Sequence, residues 1–151
     1  MVASVIRPVM VAWWRIWPSI FRFLDFLVPK CQRLIVFSQA KGRYSDNSRA
    51  LYEYMSLTRQ TPSLRAVWLA QSHLVALRIS ERFPSGAIVS ARNLHGVWIA
   101  LRARTAVICH GIGDLGRFSS LSRRTKIVFL WHGIAIKKYG LSANGIRNTV
   151  D

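Results

Sequence analysis

The sequence predicts a single α/β lobe on a mainly parallel, Rossmann-like sheet, preceded by an amphipathic helical arm. Short runs of β-branched residues recur from Arg33 onward, and the first three are each followed by a helical pattern. Those runs show little alternation, as expected of strands covered on both faces. At 151 residues the chain is long enough for one core and short for two. The expected division is an arm over residues 1–32 and a lobe over 33–151.

Residues 34–37 (Leu-Ile-Val-Phe) are the first strand. A polar turn follows, then a helix over 48–57 with Asn47 as its N-cap and Leu51, Tyr54 and Met55 on one face. Residues 65–69 form the second strand and 71–82 its helix, which Pro84 and Gly86 end. A third strand at 87–89 precedes a helix over 93–103, whose apolar stripe is Leu94, Val97, Trp98 and Leu101. Strands at 105–109 and 126–130 complete the series. The order βαβαβαβ–β predicts a parallel sheet.

The arm carries Trp13, Trp14, Trp17, Phe21, Phe23 and Phe26. On a helical wheel Arg7, Arg15, Arg22 and Asp25 fall opposite Trp13, Trp17, Ile20, Leu24 and Leu27. Apolar runs between the arginines are about seven residues long, far below the roughly 20 that span a bilayer. A helix lying in the headgroup region of an anionic membrane is the expectation, against an amphipathic helix packed on the lobe's own core. No small-residue cleavage site marks a signal peptide.

With 22 basic against 6 acidic residues, the net charge of +16 calls for an anionic partner. Nucleic acid, anionic lipid and a phosphate-rich substrate all qualify. A small RNA- or DNA-binding protein is the competing class, but the arginines are scattered and no RNP-like or helix-turn-helix string occurs. Cys31 and Cys109 have no metal-ligand spacing and read as free thiols in a reducing compartment. No zinc-type ligand set and no Ser–His–Asp arrangement can be read.

Three strand-end segments carry chemistry. Residues 42–47 form a polar, glycine-bearing loop running into a helix, where Asp46 and Asn47 stand. His110 and Gly111 follow one strand with Asp114 just beyond, and Trp131, His132 and Gly133 follow the next. If those strands are neighbours, two imidazoles share one sheet edge. Lys137 and Lys138 then open a helix, where basic residues are unfavourable unless an anion is held. A sheet-edge histidine beside paired positive charge suits proton abstraction next to a phosphate.

Together these segments resemble the CDP-glycerol glycerophosphotransferase family of teichoic acid synthesis. The matching strings are residues 44–47 (Tyr-Ser-Asp-Asn) with 51–54, then 110–114 (His-Gly-Ile-Gly-Asp), and above all 131–133 (Trp-His-Gly) with 137–140 (Lys-Lys-Tyr-Gly). Ala135 stands where the family typically has proline.

The resemblance implies the N-terminal half of a GT-B-type transferase that adds glycerol phosphate from CDP-glycerol to a lipid-linked acceptor. That reaction would lie at the cytoplasmic face of the membrane, with the protein held there peripherally. By that analogy His132 is the base for the acceptor hydroxyl. His110, Asp114, Asp46 and Asn47 line the acceptor side. Gly133 belongs to the turn, and Lys137 and Lys138 steady phosphate charge. No cofactor is implied beyond the donor substrate. A second, nucleotide-binding lobe is not encoded in these residues, so a second lobe or chain is an expected partner, and a catalytically inactive membrane-docking remnant is the alternative.

Overall fold

The computed structural model describes residues 18–40, 43–58 and 63–131. Helix α1 covers 18–27. Then follow β1 (Cys31–Phe37), α2 (Asp46–Leu57), β2 (Arg65–Ala70), α3 (His73–Arg82), β3 (Ile88–Ser90), α4 (Leu94–Arg102), β4 (Ala103–Ile108) and β5 (Lys126–Phe129). Between the last two strands, Ile112–Arg123 forms a 3₁₀ segment kinked at Gly116, which the sequence pattern did not announce.

The five strands are all parallel and lie in the order β3-β2-β1-β4-β5. The chain winds outward from β1 to β3, then returns past its start to β4. Right-handed crossovers put α2 and α3 on one face and α4 on the other. The order reverses between β1 and β4, so their carboxyl ends open the crevice where α/β sheets take ligands.

Both faces of the central strands are buried and their residues alternate between two cores, whereas the edge strand β5, which the sequence pattern reads as covered, leaves Val128 and Phe129 exposed. Leu34, Val36, Val67, Leu69, Ala106 and Ile108 face α1, α4 and the 3₁₀ segment. Phe37, Trp68, Ala70 and Val107 face α2 and α3, with Tyr52, Ile79 and Phe83. Because each side is apolar, the strands read as continuous hydrophobic runs. Within the second core the Tyr52 hydroxyl donates to the Ala87 carbonyl at 2.9 Å. Burial pushes its pKa up to about 12.

Three helical faces differ from expectation. In α2 the fully buried positions are Ser48 and Tyr52, while Tyr54 is exposed. In α4 Leu94 and Trp98 are exposed, and Gly96, Ile99, Ala100 and Leu101 face the sheet. The cause lies at Gly96: a Cβ there would stand 1.9 Å from the Ser90 carbonyl oxygen, so only glycine permits that approach. The helix is thereby rotated away from its most apolar stripe.

In α1 Asp25 is not on a solvated side with Arg22. It is buried and pairs with Lys30 at 2.5 Å. Lys30 also donates to the Leu101 carbonyl at 2.7 Å and to Thr125 Oγ1 at 3.0 Å, tying α1 to the end of α4 and the start of β5. Burial pulls the Lys30 pKa below its ordinary value, with Asp25 opposing. Phe21 stands edge-on to Phe118, centroids 5.2 Å apart, and anchors α1 in the core. Phe23, Phe26 and Leu27 remain exposed.

Asp25→Ala strands a buried ammonium group and is expected to lower unfolding free energy by about 3–5 kcal/mol. Urea denaturation measures this; a loss under about 1 kcal/mol would show that the pair does not hold α1 to the lobe.

Candidate active site at the sheet edge

At the crevice between β1 and β4 both strands end in polar residues. Ser38, Gln39 and Ala40 follow β1; Cys109, His110 and Gly111 follow β4. Asp114, on the 3₁₀ segment, joins them and is only 1% exposed. Its Oδ2 accepts the backbone N–H groups of Cys109 and His110, both at 2.9 Å. Its Oδ1 accepts that of Ala40 at 3.1 Å. Its backbone carbonyl accepts Ser38 Oγ at 2.8 Å and Gln71 Nε2 at 3.2 Å. Burial alone would raise the carboxyl's pKa, but the three N–H donors, with His110 nearby, hold it below the ordinary value.

The His110 imidazole stands between two carboxylates. Nδ1 lies 3.6 Å from Asp114 Oδ2, and Nε2 lies 3.6 Å from Asp46 Oδ2. These are ion-pair distances rather than hydrogen bonds. Gln39 Nε2 donates to the same Asp46 oxygen, Oδ2, at 2.6 Å, and Gln39 Oε1 accepts the Ser45 N–H at 3.1 Å. His110 and Asp46 remain about one-third exposed, at 36% and 37% of their side chains. An imidazole oriented by a buried carboxylate and open on one side can accept a proton from a bound hydroxyl. Gly111 has φ +151, and nothing lies within 4 Å of where a Cβ would be, so the loop leaves open space beside the imidazole.

Asn47 is not the N-cap of α2. Ser45 holds that position without a side-chain cap bond, because its hydroxyl is 3.2 Å from Gln39 Oε1. Asn47 instead donates to the Trp131 carbonyl at 2.7 Å, joining the start of α2 to the loop after β5. Asp46 and Trp131 both have positive φ, 59° and 58°. Left-handed backbone at non-glycine residues costs of order 1–3 kcal/mol each and gathers at functional sites. Below them, Cys109 Sγ lies 3.0 Å from Ser48 Oγ and accepts the Ser48 N–H at 3.2 Å. Cys31 and Cys109 are both free.

The structure therefore brings together Asp46, Asn47, His110 and Asp114. His132, Gly133, Lys137 and Lys138 lie outside the described residues. Strands β4 and β5 are adjacent, with Ile108 opposite Phe129. Ser38, Gln39 and Gln71 were not singled out in the sequence; their only signal is polarity immediately after a strand. Among the described residues no set of three or more His, Cys, Asp or Glu could hold a metal ion, and no helix is long and apolar enough to cross a membrane.

The profile of the CDP-Glycerol:Poly(glycerophosphate) glycerophosphotransferase family matches residues 20–150. The chain belongs to this family. It is 26% identical over 125 residues to a teichoic acid poly(glycerol phosphate) polymerase from Bacillus spizizenii, covering 82% of this chain and 30% of that protein. The chain thus spans under a third of the length of the curated relative it matches. No solved structure gives a significant match. The glycerophosphotransferase match takes in every element from α1 to β5 except the first two residues of α1, so the cluster around His110 lies wholly inside the family region.

The lowered Asp114 pKa has a signed consequence. The unfolded chain binds this proton more readily, so the stabilisation is complete above the ordinary carboxylate range and is lost as pH falls through the depressed native value. Asp114→Asn is expected to cost about 2–3 kcal/mol at neutral pH, since hydrogen bonds to a charged group are lost. Urea unfolding should show the gap to wild type narrowing in acid; a gap constant with pH would contradict this.

Proposed function

We propose that this chain is the acceptor-side lobe of a CDP-glycerol-dependent glycerophosphotransferase working at the cytoplasmic face of the membrane. The acceptor hydroxyl gives its proton to a sheet-edge imidazole and attacks the β-phosphorus of CDP-glycerol. A new phosphodiester forms, the P–O bond to CMP breaks, and CMP leaves. His132 is the base by family analogy. His110, framed by Asp46 and Asp114, orients the hydroxyl, while Asn47 shapes the loop that leads to His132. By the same analogy Gly133 belongs to the site, and Lys137 and Lys138 balance the phosphate charge. A nucleotide-binding lobe, in this polypeptide's whole form or on a partner, supplies CDP-glycerol.

The observation that carries the reading is the position of His110, between two carboxylates at the switch point of a family-matched parallel sheet. Membrane docking draws on the exposed Phe23, Phe26 and Leu27 of α1 and the exposed Leu94 and Trp98 of α4. Both helices pack against the same face of the sheet. Arg124 stacks over Phe26 at 5.9 Å and Arg102 over Trp98 at 5.6 Å. Aromatic rings paired with guanidinium groups suit the anionic headgroup layer.

Sedimentation with anionic vesicles, with and without a lipid-linked glycerol phosphate primer, tests both parts. Wild type should bind plain vesicles and bind primer-bearing ones more tightly. Phe23→Ser/Phe26→Ser should weaken the first, and His110→Ala should remove the primer's added retention by at least tenfold. Primer-dependent retention unchanged in His110→Ala would contradict the site.

A further inference from the structure

On the other side of the β1–α2 loop lies a cleft of about 330 Å³, lined by Arg43, Tyr44, Ser45, Val75, Arg78, Ile79 and Arg82. Three guanidinium groups thus border one cavity whose lining holds no carboxylate. Among the described residues four acids are committed elsewhere: Asp25 to Lys30, Glu53 to Arg49, Asp46 to Gln39, and Asp114 to backbone N–H groups. Glu81 on α3 does not line the cleft. Among the described residues none of the three arginines forms an ion pair with Asp or Glu.

We infer that this cleft binds the phosphodiester backbone of a polyol-phosphate chain, holding the part of the acceptor that lies behind its reacting end. The identity of the ligand rests on the function proposed above; the anion preference rests on the arginines. Guanidinium groups bind phosphate oxygens in bidentate fashion, and the apolar walls Val75 and Ile79 reduce competition from water. The cavity falls in the size range of small-molecule sites, about 300–1,000 Å³.

Two features favour a polymer without bases. Tyr44, the aromatic group in the lining, is already engaged: its ring meets Trp68 edge-on at 4.7 Å and carries Arg49 at 5.1 Å. No open ring is left for base stacking, on which single-stranded nucleic-acid binding depends. The cleft is also tied to the site. Ser45 lines it and bonds Gln39, which bonds Asp46, which faces His110. An anionic chain held there would lead to the imidazole.

The test is fluorescence anisotropy of a labelled oligo(glycerol phosphate) with the full chain, repeated at several salt concentrations. Arg78→Glu/Arg82→Glu should weaken binding at least tenfold and flatten its salt dependence. Arg33→Glu/Arg65→Glu, with the same change in net charge at exposed positions on the opposite, amino-terminal edge of the sheet, should stay within about twofold. Circular dichroism checks that each variant folds, and Arg78→Ala/Arg82→Ala serves if the reversal does not. Equal loss in both charge-reversed pairs, or no binding by wild type, would overturn the cleft. An oligodeoxynucleotide of equal charge bound as tightly would overturn the ligand. Loss in His110→Ala alone would overturn the cleft and spare the proposed function. Loss in the α3 variant alone, with His110→Ala unchanged, would support the cleft and count against the His110 site.

Discussion

The carboxylate of Asp114 is the constraint around which the candidate site at the sheet edge is organised. It is a charge taken out of water, which only dense hydrogen bonding makes tolerable. Three backbone N–H groups supply that bonding, and they come from the ends of two different strands, β1 and β4. Meeting its requirement therefore fixes the two loops of the crevice relative to each other. The adjoining carbonyl recruits Ser38 and Gln71, so the end of β2 is held by the same residue. The fold creates an opening at the point where strand order reverses; this one group gives the opening a defined shape and points an imidazole into it.

A second layer of order is stored in the backbone. Asp46 and Trp131 occupy left-handed conformations on facing loops, and the Asn47 amide bridges the two. Neither conformation is favourable for its residue type, and the surrounding hydrogen bonds hold them in place. Since α2 also offers Ser48 to Cys109, its first turn is occupied with the site rather than with capping itself. The helix start gives up a side-chain cap, and the site gains a rigid wall.

The strands were legible in the sequence because burial on both faces writes them as unbroken runs such as Leu34-Ile-Val-Phe37. His110, Asp114, Asp46 and Asn47 were legible as candidates because chemistry collects where such runs stop. The added 3₁₀ segment was not, since its residues carry no helical period. The faces of α2 and α4 were misread for a common reason: small or polar residues, Ser48 and Gly96, lie against the sheet, and hydrophobic periodicity is blind to them. Asp25 was misplaced because a buried ion pair with Lys30 looks, in one dimension, like a solvated charge. Gln39 stayed hidden because a buried amide that ties its own loop to Ser45 and Asp46 leaves no pattern at all.

These features describe a lobe with three distinct surfaces: an aromatic, arginine-stacked one on the α1 and α4 side, an arginine-lined cleft by α3, and the carboxylate-framed imidazole at the sheet edge. The central claim is that the imidazole meets the acceptor. Its most direct test is the NMR signal of the His110 ring during titration with a short, unlabelled oligo(glycerol phosphate). A saturable shift of that signal, abolished in Asp46→Asn/Asp114→Asn protein that remains folded, is the expected result. A His110 signal that does not move at ligand concentrations saturating the chain would contradict it.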